Sequence, residues 1–83
     1  MKINVNITPR YNIGDQVYVA SHYYDYYPQE EAYKINDVII DIYDKDVHIR
    51  YEVKRENAVE YVPEAWVHPT YAECKKWCDE HNC

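Results

Sequence analysis

Residues 11–28, YNIGDQVYVASHYYDYYP, decide how the rest of this chain is interpreted. The stretch opens with a turn at Gly14, the only glycine, and continues into an apolar strand in which Val17 and Val19 share a face. Between residues 21 and 31 this alternation fails and a proline intervenes, so we predict a surface loop there. The predicted loop holds more aromatic area than a connector needs, because four tyrosines surround one aspartate: Tyr23, Tyr24, Asp25, Tyr26 and Tyr27.

Alternating residues on either side of this stretch predict further antiparallel strands. Residues 2–7 alternate, with Ile3, Val5 and Ile7 on one face, which is typical of a half-buried strand. Residues 32–43 form the longest β-like segment, with a bulge expected near residues 36–37 because the alternation changes phase there. After a polar turn at residues 44–46, a second alternating segment completes a hairpin, and a short strand follows at residues 58–62.

The C-terminal part of the chain predicts helix. Residues 63–66 suggest a single helical turn, and Thr70 followed by Glu73 is a capping box that satisfies free N–H groups at a helix start. We predict a helix over about residues 71–81, whose apolar stripe is Cys74, Trp77, Cys78 and His81. The fold class is therefore mainly β with a C-terminal α-helix, in one domain spanning residues 1–83.

Composition points to an acidic, tyrosine-rich surface. The chain has no phenylalanine and eleven tyrosines, too many for the core of 83 residues, so several are expected outside it. The net charge is −6, and residues 25–46 hold seven acids against two lysines. Such a surface repels nucleic acid and attracts basic protein faces, although the charge could also serve solubility alone.

The three cysteines lie in the last ten residues, which is not a disulfide framework. We interpret them as reduced thiols of a cytoplasmic protein, since no signal-peptide core or membrane-spanning segment is evident. Cys74, Cys78, His81 and Cys83 offer zinc-binding atoms, but their spacing matches no known knuckle. Burial of small apolar thiols explains the pattern better, so no metal and no cofactor are expected, and zinc stays the alternative.

The sequence contains few candidates for catalytic residues. Ser21, the only serine, lies near His22 and Asp25, but no glycine elbow presents it. A single glycine also excludes a phosphate-cradling loop. Asp41, Asp44 and Asp46 surround a turn without the ligand spacing of an EF-hand loop. We therefore expect a protein that is not an enzyme.

Five segments together resemble small SH3-like proteins of unknown function that are common in phages and mobile elements of Firmicutes. These segments are IGDQVYV at residues 13–19, YKINDVIIDIY at 33–43, IRYEV at 49–53, EYVPEAWV at 60–67 and TYAECKKW at 70–77. The resemblance implies a small SH3-like antiparallel barrel of about five strands. It carries no catalytic residues, and this chain departs from it in the tyrosine cluster and the terminal cysteines.

Tyrosine-rich surface flanked by acids is typical of protein-binding patches. We predict a binding surface for a basic protein partner, formed by Tyr23, Tyr24, Asp25, Tyr26, Tyr27, Glu30, Glu31, Asp37 and Asp41. The mobile-element resemblance suggests an anti-CRISPR-like inhibitor that mimics nucleic acid and occupies the groove of a CRISPR effector or another nucleic-acid-binding protein. The alternatives are an SH3-like structural or regulatory adaptor and a barrel that binds nucleic acid directly, the latter disfavoured by charge.

Overall fold

The computed structural model describes residues 8–82, which form an antiparallel β-sheet that is not closed and one C-terminal helix. The strands are β1 (Gln16–Tyr23), β2 (Asp25–Pro28), β3 (Tyr33–Tyr43), β4 (Asp46–Arg55), β5 (Ala58–Pro63) and β6 (Val67–His68). A 3₁₀ turn (Glu64–Trp66) precedes β6, and α1 (Tyr71–His81) follows it. The predicted mainly β fold with a C-terminal helix is confirmed. The predicted strand at residues 2–7 lies outside the described residues, as does Cys83.

The long β3–β4 hairpin follows its predicted form. The register shifts between Ile35 and Asp37, which confirms the expected bulge. Beyond the bulge, Val38 pairs with Tyr51 and the pairing continues to the turn. Asp44 and Lys45 have positive φ values of 45° and 73°. Type I′ turns require positive φ at both central residues, and they are favoured in two-residue hairpins because their twist matches that of the flanking strands.

The loop predicted over residues 21–31 is wrong in its first part, where the chain forms a second hairpin. β1 continues to Tyr23, and β2 returns from Asp25, with Ser21 opposite Tyr27 and His22 opposite Tyr26. Tyrosine favours strands because its ring packs on a pleated surface, but no aliphatic alternation marks this segment. Only the connection after Pro28 is a loop.

Strand order β2-β1-β3-β4-β5, with β6 paired to β1, creates two adjoining cores. The larger core consists of Val17, Val19, Tyr33, Ile35, Tyr51, Val53, Val62 and Val67. Tyr51 is fully buried, and its hydroxyl donates a hydrogen bond to Glu64 Oε2 and accepts one from the Tyr11 N–H. Burial and the Glu64 carboxylate raise the pKa of Tyr51 to about 12, so the hydroxyl remains a donor.

The smaller core lies under α1. Thr70 Oγ1 accepts the Glu73 N–H at 3.2 Å, which confirms the Thr70 half of the predicted capping box, and the helix begins at Tyr71. Cys74 and Cys78 are buried against Ala20 of β1. Burial raises the pKa of Cys74 to about 12 and that of Cys78 in the same direction, so both thiols stay protonated.

Candidate functional site

The β1–β2 hairpin distributes its tyrosines over two faces. Residues opposite one another on paired strands share a face, so Tyr23 and Tyr27 lie on the side of Ser21 and Asp25. On that outward side Tyr23 is 71% exposed and Tyr27 is 48% exposed. The outward face therefore presents aromatic surface next to a carboxylate.

Tyr26 lies on the opposite side, against the helix. Its ring is 5.0 Å from that of Trp77 and 5.7 Å from that of Trp66, both edge to face. Its backbone N–H donates to Asn82 Oδ1 at 2.8 Å, and its carbonyl accepts from Asn82 Nδ2 at 2.7 Å. Tyr26 therefore attaches the hairpin to the C-terminal helix rather than belonging to the exposed tyrosine surface.

Tyr24 forms the tip of the hairpin. Its φ of 63° lies in the left-handed region, and its side chain is 86% exposed. A non-glycine residue pays roughly 1–2 kcal/mol for that conformation. The ring contacts Tyr23 edge to face, with centroids 4.7 Å apart. Core packing does not account for a bulky aromatic at this position.

An acidic groove of about 690 Å³ continues this outward face. It lies between the β2–β3 connection and the start of β5, and Ser21 and Tyr27 belong to both the hairpin and the groove wall. Its charged residues are Glu30, Glu31, Glu60 and Arg55. Three carboxylates against one guanidinium give the groove a negative potential that favours a basic group.

Arg55 is held inside the groove by three contacts. Its guanidinium lies 4.7 Å from the centre of the Tyr33 ring, its Nη1 donates to Gln29 Oε1 at 3.3 Å, and its Nε is 3.4 Å from the Glu31 carboxylate. Burial, followed by the nearby Glu60 carboxylate, raises the pKa of Tyr33. Arg55 thus neutralises Glu31, whereas Glu30 and Glu60 have no ion-pair partner among residues 8–82.

The structure does not bring all of the predicted acids together. Asp41 lies on β3 and forms an ion pair with Arg50, at 2.9 Å between Oδ2 and Nη2. Lys34 of β3 pairs with Gln16 of β1, and Asp41 is roughly 23 Å further along the strand, in the direction away from the hairpin tip. Asp37 also lies beyond the bulge, opposite Glu52. The predicted site therefore divides into the hairpin–groove surface and a separate acidic stretch on β3.

Glu60 belongs to the groove but was not predicted from the sequence. It lies on β5, about thirty positions from the β2–β3 connection, and only the β4–β5 register and the curvature of the sheet bring it near Tyr33. The sequence held one indication of its position, because Glu60 is an acid among the apolar residues of the strand predicted at residues 58–62. This indicates that the Glu60 side chain is exposed, but it does not show which residues lie beside it.

The candidate metal ligands differ in how deeply they are buried. Cys74 and Cys78 are buried, whereas His81 is exposed, stacks on Trp77 at 4.0 Å and has Nδ1 2.8 Å from the Trp77 carbonyl oxygen. Across residues 8–82, no three His, Cys, Asp or Glu residues are grouped to hold a metal ion.

Two residues considered for catalysis, Ser21 and His22, also have structural contacts. Ser21 Oγ accepts a hydrogen bond from Gln29 Nε2 at 2.7 Å, and the His22 ring contacts Tyr26.

Comparison with known proteins gives no relative: no family model, no curated protein and no solved structure matches this chain. Within the described part of the chain, no helix is long and apolar enough to cross a bilayer.

Proposed function

We propose that this chain is a non-enzymatic protein-binding module that engages a basic partner through the outward face of the β1–β2 hairpin and the adjoining acidic groove. The continuity of these two surfaces carries the proposal. Exposed Tyr23, Tyr24 and Tyr27 lead directly into a groove where Glu30 and Glu60 lack ion-pair partners among the described residues. Tyrosines give contact area at a low cost in conformational entropy, and the carboxylates would orient a basic segment.

An SH3-like arrangement of the sheet is part of the proposal. Its support is the order of elements: two successive hairpins lead through a 3₁₀ turn into β6, which returns to the first strand. Tyr18 pairs with His68 and Val19 with Val67. This arrangement does not itself indicate a function, because similar barrels serve many purposes.

The partner is proposed to be a nucleic-acid-binding effector, with this chain acting as an anti-CRISPR-like inhibitor from a phage or mobile element. The net charge of −6 and the groove carboxylates of Glu30 and Glu60, which have no ion-pair partner among residues 8–82, support mimicry of a nucleic acid. Asp37 and Asp41 lie apart from that surface and are not needed for it. Binding driven by these charges should weaken as salt rises, since exposed charges are screened within about 8 Å at physiological ionic strength.

Capture of a partner on the immobilised chain, with and without nuclease treatment of the host lysate, provides the binding assay. In that assay, Tyr23→Ser combined with Tyr24→Ser should weaken binding at least about tenfold, as expected when aromatic anchors are lost. The matched control is Ile42→Ser combined with Tyr43→Ser. Those two neighbouring side chains are also exposed, at 58% and 62%, but lie at the far end of β3, away from the β1–β2 hairpin.

Equal losses in the two double variants would refute the assignment to the hairpin. Loss of capture after nuclease treatment would indicate that nucleic acid bridges the chain to its partner, which would also contradict the proposal. An adaptor that binds through tyrosines alone would show the tyrosine effect without salt dependence.

A further inference from the structure

The two outer strands of the sheet are protected differently. On β2, Tyr26 lies opposite His22, and its backbone N–H and C=O both bond to the side-chain amide of Asn82, at 2.8 and 2.7 Å. That amide takes the place of a neighbouring strand, so it closes the β2 edge to further pairing. On β5, the other outer strand, no backbone hydrogen bond is made outside the ladder with β4 among residues 8–82.

The outer edge of β5 presents the backbone groups of Val59 and Tyr61. Arg55 and Ala58 close a two-residue turn and so form a hydrogen-bonded pair, and such pairs recur at every second residue of an antiparallel ladder. Glu60 therefore exchanges hydrogen bonds with β4. Val59 and Tyr61, which alternate with it, direct their N–H and C=O groups away from β4.

The composition of β5 suits an edge that accepts another strand. Natural edge strands usually carry lysine, proline or a bulge that prevents pairing, whereas β5 has neither lysine nor proline before Pro63 and pairs with β4 without a bulge. Val59 and Tyr61 are 46% and 58% exposed, and β-branched and aromatic side chains favour strand pairing. The only charged residue of β5 is Glu60.

A second groove runs beside this edge and joins the acidic groove. It is lined by residues 59–62 of β5, by Ala20, Ser21 and His22 of β1, and by Trp66. Ser21 and Glu60 line both grooves. A strand added to β5 therefore lies against the surface proposed for the partner.

We propose that β5 receives an extended segment of the basic partner as an added antiparallel strand, an inference that rests on the proposed function. The segment's residues opposite Val59 and Tyr61 exchange hydrogen bonds with them and place their side chains on the outer face of the sheet. The residue between them lies opposite Glu60, on the face of that carboxylate, where a lysine or arginine is complementary. The segment therefore alternates basic with apolar residues.

A second copy of this chain fits the same edge poorly. Two β5 strands that pair antiparallel over residues 58–62 place their two Glu60 carboxylates directly opposite each other, because residue 60 is the centre of that range. Like charges in opposed positions are destabilising, and each copy carries a net charge of −6. Glu60 thus disfavours self-pairing and favours a basic segment.

An acetylated and amidated ten-residue peptide that alternates lysine with valine is the probe. The Val59 and Tyr61 amides should exchange rapidly with solvent in the free chain, and about tenfold more slowly at a peptide concentration ten times the Kd. Methylation of the valine backbone nitrogens should weaken binding at least about tenfold, because these nitrogens donate to β5. Methylation of the lysine backbone nitrogens, which point away from β5, should have little effect.

Three results of the peptide experiment would overturn the proposal. They are slow exchange of the Val59 and Tyr61 amides in the free chain, equal effects of the two methylations, and equally tight binding of a peptide with glutamate in place of lysine.

A proline at position 59 tests the same edge from the side of the chain. Val59→Pro removes the outward N–H and keeps the ladder with β4, because that N–H does not bond to β4. Val59→Thr is the matched control, since it keeps both the N–H and a β-branched side chain. Val59→Pro should bind the lysine–valine peptide at least about tenfold more weakly than Val59→Thr, with the α1 amides unchanged in both variants.

Strand addition and the proposed function fail separately. Equal peptide binding by Val59→Pro and Val59→Thr would disprove strand addition, even where capture of the partner still depends on Tyr23 and Tyr24. Capture that does not depend on those tyrosines would refute the hairpin assignment and would leave the peptide result unchanged.

Discussion

Replacing Tyr51 by phenylalanine tests the account of the larger core most sharply. The side chain is fully buried, so phenylalanine retains the ring packing and removes only the hydroxyl. That hydroxyl donates to Glu64 Oε2 and accepts the Tyr11 N–H at 3.3 Å. The substitution therefore removes one charge-assisted hydrogen bond and leaves a partly buried N–H without its acceptor.

The expected loss follows from those two contacts. Hydrogen bonds to charged groups contribute roughly 1.5–3 kcal/mol, and Glu64 keeps a second donor in the Arg10 N–H. The Glu64 side chain is 22% exposed, so water can replace part of the lost bond. We therefore expect Tyr51→Phe to lower the free energy of unfolding by about 2 kcal/mol. In a domain of this size that corresponds to a fall in Tm of roughly 8–16 °C.

Urea denaturation followed by tryptophan fluorescence measures this loss, and Tyr61→Phe is the matched control. The Tyr61 hydroxyl also donates to a carboxylate, Glu52 Oε1 at 2.9 Å, but Tyr61 is 58% exposed. Water replaces that bond, so the urea midpoint of Tyr61→Phe should match the wild type. Equal urea midpoints for Tyr51→Phe and Tyr61→Phe would refute the claim that burial makes the Tyr51–Glu64 hydrogen bond stabilising.

Two further predictions concern the β3–β4 turn and pH. Lys45→Gly should raise the free energy of unfolding, measured by urea denaturation, by about 1 kcal/mol. Lys45 is exposed and has a φ of 73°, a conformation that glycine adopts without strain. An unchanged free energy of unfolding would contradict the turn assignment. The Nε2 atom of His68 is buried and has no hydrogen-bond partner among residues 8–82. Burial lowers the pKa of His68 below 6.5, although the Glu73 carboxylate opposes the shift. The unfolded chain then binds the proton more tightly, so stability should fall as pH drops below about 6.5. His68→Gln should make the free energy of unfolding less dependent on pH in this range. An unchanged pH dependence would contradict the assignment of this effect to His68.

The parts of the fold that were predictable from the sequence have local causes. The β3–β4 hairpin and its bulge follow from alternation and a change of phase, which neighbouring residues determine. The start of α1 follows from Thr70 and Glu73, three positions apart. Each of these signals lies within a few residues of the structure that it predicts.

The β1–β2 hairpin was not predicted because its signals are atypical. Its outward positions carry serine, tyrosine and aspartate instead of a simple polar series, and its tip is Tyr24 rather than glycine or asparagine. The separation of Tyr26 from its neighbours was also not predictable, since it depends on a helix more than forty residues further along the chain. Long-range placement, not local pattern, decides which tyrosines belong to the surface.

Charge reversal in the groove tests the proposed binding surface most directly. Glu30→Lys combined with Glu60→Lys should weaken affinity for the captured partner at least about tenfold and flatten its dependence on salt, because both carboxylates face the groove. Asp79→Lys combined with Glu80→Lys makes the same change in net charge on the exposed side of α1 and should have little effect. Equal weakening by the two pairs, or none by the groove pair, would contradict the account.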